Sequence, residues 1–433
     1  MKSVKDKPIN IGLIGFGNVG TGIVDCFLKG RFKSAGIVLK TVAVKNLSKV
    51  RDVNLPKSAK LTQDANFIIE DPEIDIVVEL MGGTDLAKKY CFEALRAKKH
   101  LVTANKALLG ECLPDLYDIA RENKVSLSFE ASVCGAIPVI QNLRDYFRLQ
   151  QVTSIKGILN GTTNYILTKM EDGMDFDPAL KEAQSLGIAE ADHILDTGGF
   201  DTRSKLAILA SLASGTHIKP ESIPCRGITE VKLEDIAFAR KFRKGYAVKL
   251  LASAQQYNGT WSIQVNPTLI SRDNPLASIR GKLNSVTVEG DLSGPLTFTG
   301  FGASRNPTAG AVISDILHAA EHVRFHTPDF LPVLDKHPSI TKPDDIQSEG
   351  YIRTELLHKP GTLASVAKLL GNSHLNIRSL LQQGEPRHIA GRPITTDIIT
   401  VEKASQKQID TALVKLTKSS KVRGTPFYMP FAE

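Results

Sequence analysis

Short apolar runs separated by amphipathic stretches make up the first third of the chain. The apolar runs are rich in β-branched residues and occupy residues 9–14, 37–44, 74–80, 100–103 and 125–129. Helical spacing of apolar positions lies between them at residues 85–97 and 114–122, where Pro114 suits the first turn of a helix. Buried strands that alternate with helices are typical of a parallel sheet with helices on both faces. The pattern therefore predicts an α/β fold whose first domain, residues 1–132, is a doubly wound parallel sheet.

The pattern changes after residue 132, where helical spacing comes first and strand-like runs follow. The helical segments are residues 136–146, 162–170, 177–186 and 202–214. The strand-like runs are residues 249–255, 261–267, 285–290 and 297–299. We predict a second, α+β domain over residues 133–340 with a sheet of its own. Residues 305–324 are expected to pack back against the first domain and complete it.

A linker and a third unit complete the chain. Residues 341–349 combine proline, acidic residues and glycine, which favours a linker. The segments beyond it predict strands at 351–357, 376–381 and 396–402 and helices at 362–370 and 406–416. We assign them to a third domain over residues 350–433.

Composition narrows the class of protein. The chain has 433 residues, of which 42% are hydrophobic and 23% charged, so its length and core material suit two or three globular domains rather than disorder. No apolar run approaches the roughly 18–20 residues of a membrane span. The net charge is +8, but the bases are dispersed and only 6% of residues are aromatic, which argues against nucleic-acid binding.

The cysteines and the N-terminus bear on the compartment. The five cysteines are odd in number and scattered, so they form neither a disulfide framework nor a metal motif. The basic start followed by an apolar stretch imitates a signal peptide, but glycines interrupt the stretch and no cleavage pattern follows. We expect a cytoplasmic enzyme.

A glycine-rich loop follows the first predicted strand and opens a helix. It reads Gly15-Phe16-Gly17-Asn18-Val19-Gly20. This G-x-G-x-x-G spacing between a strand and a helix indicates a Rossmann-like dinucleotide site, in which the helix N-terminus holds the pyrophosphate.

The end of the second strand favours NADP over NAD. An NAD site usually places an acidic residue there for the ribose 2′-hydroxyl. No Asp or Glu occurs from Cys26 to Arg51, whereas Lys45, Lys49 and Arg51 follow the strand and suit a 2′-phosphate. NAD(H) remains an alternative cofactor, and a solvated basic loop is the structural alternative.

Other strand ends face the same crevice. Gly82, Gly83 and Thr84 follow one strand and leave room for the nicotinamide ribose, and Lys106 follows the next. The loop at 130–138, which can bend sharply at Gly135, could direct carbonyl groups toward a cation or serve as a hinge.

Acidic and basic side chains in the second domain supply candidate chemistry. Asp201 and Lys205 are four apart on a predicted helix, which favours a salt bridge; if both face a cleft, they could orient a substrate ammonium and relay a proton. Glu190 precedes them, and Asp196 joins this group or caps a turn.

Taken together, these motifs resemble those of the homoserine dehydrogenase family. The matching segments run in family order: GFGNVG (15–20), VELMGG (78–83), HLVTANKALL (100–109), FEASVCGAIP (129–138), GILNGTTNYILTKM (157–170), LGIAEAD (186–192), FDTRSKLAILA (200–210), RGITE (226–230) and GFGASRNPT (300–308). The last 80-odd residues resemble an ACT domain, a βαββαβ amino-acid-sensing module, as in the monofunctional branch of the family.

The resemblance implies reversible hydride transfer between NAD(P) and C4 of L-homoserine, the other partner being L-aspartate 4-semialdehyde. It implies that Lys205 is the proton donor and that Lys106 lies between cofactor and substrate. Glu190 and Asp201 would bind the polar end of the substrate, and Asp196 is added to them as a candidate substrate-binding residue. Gly187 and Gly302 would line the nicotinamide, and Glu190 is also a candidate cofactor-binding residue. A sodium-like cation would be held by the loop residues Glu130, Val133, Gly135 and Ile137.

The sequence departs from the family pattern at three places. Ile188 stands where a Tyr is expected, Cys134-Gly135-Ala136 replaces Ala-Gly-Gly, and Ser304 replaces a Gly in the closing motif. None removes a proposed proton-transfer group.

Two further expectations concern regulation and assembly. The loop at 358–362 of the ACT-like tail suits feedback inhibition by L-threonine, although a dimerisation module without an effector is the alternative. The resemblance also implies a homodimer or homotetramer.

Two other functions are alternatives. A 2-hydroxy-acid dehydrogenase with an ACT domain would place its G-x-G-x-x-G in mid-chain and supply a catalytic His. Here the glycines lie at 15–20, and no His accompanies a cleft acid in the motifs above. A non-catalytic NADP- and amino-acid-binding regulator would not need Lys106, Asp201 and Lys205.

Overall fold

Six parallel strands form the first sheet of the computed structural model, which describes residues 7–327, 329–335, 339–389 and 391–432. The strands are β1 (Ile9–Ile14), β2 (Ile37–Ala43), β3 (Lys60–Thr62), β4 (Ile76–Glu79), β5 (His100–Thr103) and β6 (Leu127–Ser128). Their spatial order, β3-β2-β1-β4-β5-β6, is that of a Rossmann-like sheet and confirms the predicted α/β class. The order reverses between β1 and β4, so the ligand crevice lies at the carboxyl ends of these strands.

Helices cover both faces of this sheet. They are α1 (Asn18–Leu28), α2 (Asn66–Ile69), α3 (Asp85–Arg96) and α4 (Lys106–Asn123). A much later helix, α11 (Arg305–Phe325), packs against α1 and buries Val312 and Ile316 in the core beneath β1 and β2. The chain thus returns to the first sheet after forming only part of the second.

Pro114 lies inside α4, so the prediction that it begins a helix is wrong. The helix begins at Lys106, where the Asn105 side chain accepts a hydrogen bond from Leu108 N–H (3.2 Å). A proline within a helix crowds residue i−4 and leaves its carbonyl without a donor. Residue i−4 is Gly110, whose carbonyl instead contacts His217 Nε2 at 3.0 Å. The helix can continue through Pro114 because Gly110 is small and because His217 replaces the missing hydrogen-bond donor.

The second sheet is larger and mixed. Its nine strands follow the order β11-β10-β7-β8-β9-β15-β12-β14-β13. The first five in the chain are β7 (Val152–Ile158), β8 (Tyr246–Tyr257), β9 (Thr260–Ser271), β10 (Leu283–Gly290) and β11 (Gly294–Phe301). Strand β7 had no counterpart in the predicted elements.

Helices α5 to α10 surround one face of these strands. They are α5 (Val139–Arg144), α6 (Gly161–Glu171), α7 (Phe176–Ser185), α8 (Ile194–Thr197), α9 (Phe200–Ser214) and α10 (Leu233–Lys241). Helix α9 is central, because Leu206, Ile208 and Leu209 are all buried although they point in different directions. A helix buried on most sides can hold a charged side chain such as Lys205 only if that charge has partners.

The C-terminal module, residues 347–432, has βαββαβ topology. Its elements are β12 (Gln347–Leu357), α12 (Thr362–Gly371), β13 (Ile377–Ile389), β14 (Arg392–Ser405), α13 (Gln406–Lys418) and β15 (Val422–Ala432). Strand β15 pairs in parallel with β9, placing Phe431 opposite Leu269 and Ala432 opposite Ile270. The expectation that the second domain has a sheet of its own is therefore wrong, since the module extends that sheet. The domain boundaries given above stay a prediction.

None of the helices in the described part of the chain combines the length and apolar character that crossing a bilayer requires.

Candidate active site

The glycine-rich loop joins β1 to α1 at the point where the strand order reverses. Gly15 has φ = 103°, and a Cβ there would lie 2.6 Å from the Leu80 carbonyl oxygen. A Cβ on Gly20 would lie 2.6 Å from the Gly15 carbonyl oxygen, so α1 packs tightly on the loop. Gly17 differs, because a Cβ there would meet nothing within 4 Å. The loop thus leaves open space where a pyrophosphate would approach the backbone.

A cavity of about 1060 Å³ opens beside this loop at the carboxyl edge of the sheet. Nine residues predicted to bind cofactor line it: Gly15, Phe16, Gly17, Lys45, Lys49, Arg51, Gly82, Gly83 and Thr84. A Cβ on Gly82 or Gly83 would also meet nothing within 4 Å. The cavity therefore has the volume, cations and bare backbone that a dinucleotide requires.

The three cations after β2 reach this cavity. Arg51 donates to the main-chain oxygens of Lys49 and Asn46, both at 2.8 Å, and its guanidinium lies 5.1 Å from the centre of the Phe16 ring. Lys45 and Lys49 are exposed at the cavity wall. Arg51 thus stabilises the loop that follows β2, whereas Lys45 and Lys49 remain available to a phosphate.

Arg305 is a residue near the cofactor loop that sequence reasoning missed. Its Nε donates to Asn18 Oδ1 (2.8 Å) and its Nη2 to Asp52 Oδ2 (2.6 Å). Asp52 is the first acidic residue after β2, and this ion pair engages its carboxylate. The only signal in the sequence was the position of Arg305 in the closing motif.

A buried carboxylate ties the ends of β4 and β5 together. Glu79 accepts from Thr103 Oγ1 (2.6 Å) and from Met81 N–H (2.8 Å). Burial raises the pKa of Glu79, although these hydrogen bonds oppose the shift. Asn105 Nδ2 also donates to the Gly83 carbonyl (2.8 Å). This network fixes the start of α4 and with it the position of Lys106.

Lys106, Asp201 and Lys205 form one cluster between the two sheets. Lys205 Nζ lies 2.7 Å from Asp201 Oδ2, as the four-residue spacing predicted. Lys106 Nζ lies 3.1 Å from the other carboxylate oxygen of Asp201. Lys205 also donates to the Leu159 carbonyl (2.8 Å). One carboxylate thus holds two ammonium groups that come from different helices.

In this cluster, the opposite charges of Asp201 and the two lysines keep Asp201 and Lys205 ionised although both are buried. Burial alone would raise the pKa of Asp201, but the charges of Lys205 and Lys106 outweigh it and hold that pKa well below the usual range. Burial alone would lower the pKa of Lys205, but the Asp201 charge outweighs it and raises that pKa. Lys205 therefore remains a protonated, proton-donating group at neutral pH.

Asn160 is the second residue that sequence reasoning missed. Its Oδ1 accepts from Thr163 N–H (2.8 Å) and caps α6, so the direction of its amide group is fixed. Its Nδ2 then donates to Asp196 Oδ1 (2.7 Å) and Asp201 Oδ2 (3.0 Å). Asn160 thereby brings Asp196 into the cluster. The position of Asn160 just before the helix predicted at 162–170 could have indicated a helix cap, but nothing local indicates this second contact.

The remaining predicted substrate and nicotinamide residues lie apart from these contacts. Glu190 and Gly187 are exposed in the loop after α7, and Glu190 forms no ion pair with another described residue. Gly302 packs against Asn284, because a Cβ there would lie 2.2 Å from Asn284 Nδ2. Asn284, also missed, donates to the same Leu159 carbonyl that Lys205 uses (2.7 Å).

Ser304 occupies backbone that favours glycine, with φ = 139°. It precedes α11 and stands where the closing motif usually has Gly. The backbone at this position still has a conformation that suits the Gly of the family motif, so Ser304 is strained there.

The loop predicted to hold a cation follows β6. The Glu130 carboxylate accepts from Ile140 N–H (2.9 Å) and Gln141 N–H (2.7 Å), and burial raises the pKa of Glu130 to about 7. The carbonyls of Val133 and Gly135 accept no main-chain hydrogen bond from the described residues. The Glu130 and Ile137 carbonyls, in contrast, accept from Val133 N–H (3.3 Å) and Val139 N–H (2.8 Å). Carbonyl oxygens are a type of ligand that hard cations take.

A metal site of another kind is not found. Within the described ranges, no group of three or more His, Cys, Asp or Glu side chains is placed to hold a metal ion.

Comparison with known proteins agrees with this geometry. A family model described as homoserine dehydrogenase matches residues 138–317, and one described as homoserine dehydrogenase, NAD binding domain, matches residues 15–130. The chain is 41% identical over 392 residues to homoserine dehydrogenase of Synechocystis sp., covering 87% of this chain and 89% of that protein. It is 36% identical over 385 residues to that of Bacillus subtilis, covering 87% and 88%.

Solved structures are similar as well. The crystal structure of a homoserine dehydrogenase from Thiobacillus denitrificans has a TM-score of 0.89 and 32% identity, with 99% of each chain covered. A hyperthermophilic archaeal homoserine dehydrogenase in complex with NADPH has a TM-score of 0.61 and 26% identity, covering 74% of this chain and 99% of that chain.

Proposed function

The chain belongs to the homoserine dehydrogenase family of NAD(P)-dependent oxidoreductases, and from that premise we propose which of its residues carry the reaction and which cofactor it prefers. The single observation that carries the proposal is the cluster in which Asp201 contacts both Lys106 and Lys205.

Lys205 is the proton donor. When L-aspartate 4-semialdehyde is reduced, C4 gains a hydride and negative charge develops on the aldehyde oxygen. The Lys205 ammonium stabilises that charge and gives its proton to the oxygen, which forms the alcohol of L-homoserine. In the reverse direction the neutral amine takes the proton back. The bound nicotinamide supplies or accepts the hydride.

Asp201 and its neighbours orient the reacting groups. Its carboxylate fixes Lys205 from one side while the Leu159 carbonyl fixes it from another. Lys106, which is 43% exposed, is the more accessible cation and lies toward the cofactor domain. We assign the polar end of the substrate to Asp201, Asp196 and Glu190. Of these, Glu190 would have to contact the ligand from its exposed loop.

NADP(H) is the preferred cofactor in this proposal, with NAD(H) as the weaker one. Lys45 and Lys49 line the cavity where the adenosine ribose would lie, and the nearest acid after β2 is paired with Arg305. A 2′-phosphate would find the Lys45 and Lys49 ammonium groups there, and the acid that follows them in the chain is engaged by Arg305. Gly187, Glu190 and Gly302 are assigned to the nicotinamide end.

A sodium-like cation is assigned to the loop at 130–137. The Val133 and Gly135 carbonyls, with Glu130 and Ile137, would hold it. Its charge would stabilise a loop in which Cys134 and Gly135 both have positive φ (53° and 42°).

The C-terminal module is proposed to be an ACT domain. Its βαββαβ topology supports this, and L-threonine is the effector we assign to it. A homodimer or homotetramer and a cytoplasmic location complete the proposal.

Purified protein should reduce NADP⁺ when L-homoserine is added, and should do so more efficiently than it reduces NAD⁺. Absence of turnover by folded protein would favour the non-catalytic NADP- and amino-acid-binding regulator. A strong preference for NAD⁺ in kcat/KM would overturn the cofactor assignment alone.

A further inference from the structure

A short strap, residues 224–231, supports the turn that carries Asp196. Ile228 N–H donates to the Thr197 carbonyl (2.8 Å). Gly227 approaches this turn so closely that a Cβ there would lie 2.1 Å from the Thr197 carbonyl oxygen. Any shift of the strap therefore shifts the residue next to Asp196.

The strap is also attached to the second sheet. Val265 of β9 donates its N–H to the Pro224 carbonyl, and its own carbonyl accepts from Arg226 N–H, both at 2.9 Å. These bonds fix the start of the strap but leave its far end, toward Glu230, to be fixed by other contacts.

One arginine of the C-terminal module fixes that far end. Arg353 of β12 donates from Nη2 to the Glu230 carbonyl (2.9 Å) and from Nε to Asp235 Oδ1 (2.7 Å). Asp235 lies in the first turn of α10, directly after the strap, and its other oxygen accepts from Lys232 N–H (2.8 Å). Tyr351 Oη also donates to Asp235 (2.5 Å).

This contact is buried and directional. Asp235 and Tyr351 are 0% exposed and Arg353 is 3% exposed. A buried ion pair contributes little net stability compared with apolar side chains of similar volume. Its main effect is on position. The planar Arg353 guanidinium is held by Asp235 through one N–H group, and it therefore fixes the Glu230 carbonyl that it binds through another.

We propose that Arg353 is a positioning residue for the substrate end of the active site. It holds the strap, the strap holds the turn at Thr197, and that turn presents Asp196 to Asn160 and the Lys106–Asp201–Lys205 cluster. The inference rests on the proposed function, since it assigns the substrate to that cluster. It gives the C-terminal module a role in catalysis with no effector bound.

The Arg353 contact should act on substrate binding and not on cofactor binding. The cofactor cavity lies at the edge of the other sheet, and none of the residues that line it belongs to the strap. Loss of the Arg353 contact should therefore affect binding of L-homoserine and not of NADP⁺.

The test uses the full-length protein and a double variant, Arg353→Gln with Asp235→Asn, which removes both charges together and leaves no buried unpaired ion. The matched control is Arg378→Gln with Glu349→Gln, an ion pair of the same module with contacts of 2.7 and 3.1 Å that does not touch the strap. A second test variant, Arg353→Lys, keeps the charge but cannot form both bonds.

Two readouts are measured. We expect KM for L-homoserine to rise by about fivefold or more in the double variant, with kcat and KM for NADP⁺ within about twofold of wild type. We also expect faster amide hydrogen exchange at residues 194–200 in the double variant, and a smaller change of the same sign in Arg353→Lys. The control should match wild type in both readouts.

The two readouts show whether or not Arg353 positions the substrate end of the site. Wild-type KM and wild-type exchange at residues 194–200 in the test variants would overturn the proposal, as would equal effects in the control. If the double variant does not fold, Arg353→Lys decides by the same two readouts. If wild-type protein does not oxidise L-homoserine, the proposed function fails, but the exchange measurement needs no substrate and still tests the Arg353 contact.

Discussion

The Lys106–Asp201–Lys205 cluster and the cavity beside the glycine-rich loop both contain lysines, but the surroundings of these lysines differ. In the cluster, Lys205 is buried in α9, 2.7 Å from Asp201 and 2.8 Å from the Leu159 carbonyl. In the cavity, Lys45 and Lys49 are exposed and form no ion pair within the described residues. Asp201 and Asp196 together balance the charges of Lys106 and Lys205, whereas no described carboxylate forms an ion pair with Lys45 or Lys49.

The difference follows from what each region must do. A proton donor has to be held at one place in one protonation state before the substrate arrives, because reorganisation during reaction raises the barrier. A phosphate brings its own charge and can complete the pairing on arrival. The comparison therefore predicts that changes in the cluster reduce turnover, and that changes in the cavity reduce only cofactor affinity.

Lys205→Met should give the largest effect. It removes the proposed proton donor, so kcat should fall by about 10²–10⁴-fold while NADPH affinity is retained, measured by steady-state kinetics and by fluorescence titration. The control is Lys249→Met, which removes another buried lysine whose Nζ is bound by Asn164 (3.2 Å) and the Ile279 carbonyl (2.5 Å). A similar loss in the control would mean that any buried lysine matters equally.

Asn160→Asp should give the next largest effect. Aspartate caps a helix as well as asparagine does, so α6 is retained. The two hydrogen bonds to Asp196 and Asp201 are lost and a third carboxylate is added, so kcat/KM for L-homoserine should fall by at least about tenfold. An unchanged kcat/KM in a protein of unchanged melting temperature would show that Asn160 does not position the cluster.

Asp201→Asn should change the pH dependence. In wild type the carboxylate raises the pKa of Lys205 above its ordinary 10.5, so reduction of the semialdehyde should not decline up to about pH 9.5. Without that charge, burial dominates and lowers the pKa of Lys205, so the protonated donor is lost at lower pH. The reduction rate of the variant should therefore fall on the alkaline side, within the measured range. Parallel pH profiles would contradict the coupling.

Lys49→Ala should have a smaller and more selective effect. KM for NADPH should rise by about fivefold while KM for NADH and kcat stay unchanged, since only a 2′-phosphate would pair with this cation. Lys57→Ala, a change at an exposed lysine that does not line the cavity, is the control. Equal losses for both cofactors would place Lys49 elsewhere on the nucleotide.

Ser304→Gly should give the smallest effect, a gain in stability of about 1 kcal/mol, because glycine adopts φ = 139° without strain. Ser304→Ala keeps the Cβ and should not show the gain. Thermal unfolding of the two variants distinguishes relief of backbone strain from loss of the hydroxyl.

Much of the first domain could be predicted because its information is local. Apolar runs, G-x-G-x-x-G spacing and the absence of an acid after β2 all lie within short stretches, and the cavity contains Gly15, Gly17 and Lys49 as expected. The Asp201–Lys205 contact is local too, since it spans one helical turn.

The missed features depend on contacts between distant segments. Asn160 and Asn284 reach the cluster from two other elements, and Arg305 comes back to Asn18 across most of the chain. The prediction for Pro114 was wrong because the partner of the Gly110 carbonyl, His217, lies 107 residues further along the chain. The pairing of β15 with β9 had no local signal either.

The most direct test of the comparison is turnover at saturating concentrations of both substrates in Lys205→Met and Lys49→Ala, measured side by side. We predict that Lys49→Ala reaches wild-type kcat once NADPH is saturating, and that Lys205→Met does not do so at any concentration of NADPH or semialdehyde. A near-wild-type kcat in Lys205→Met would contradict the central claim that the buried cluster carries the proton transfer.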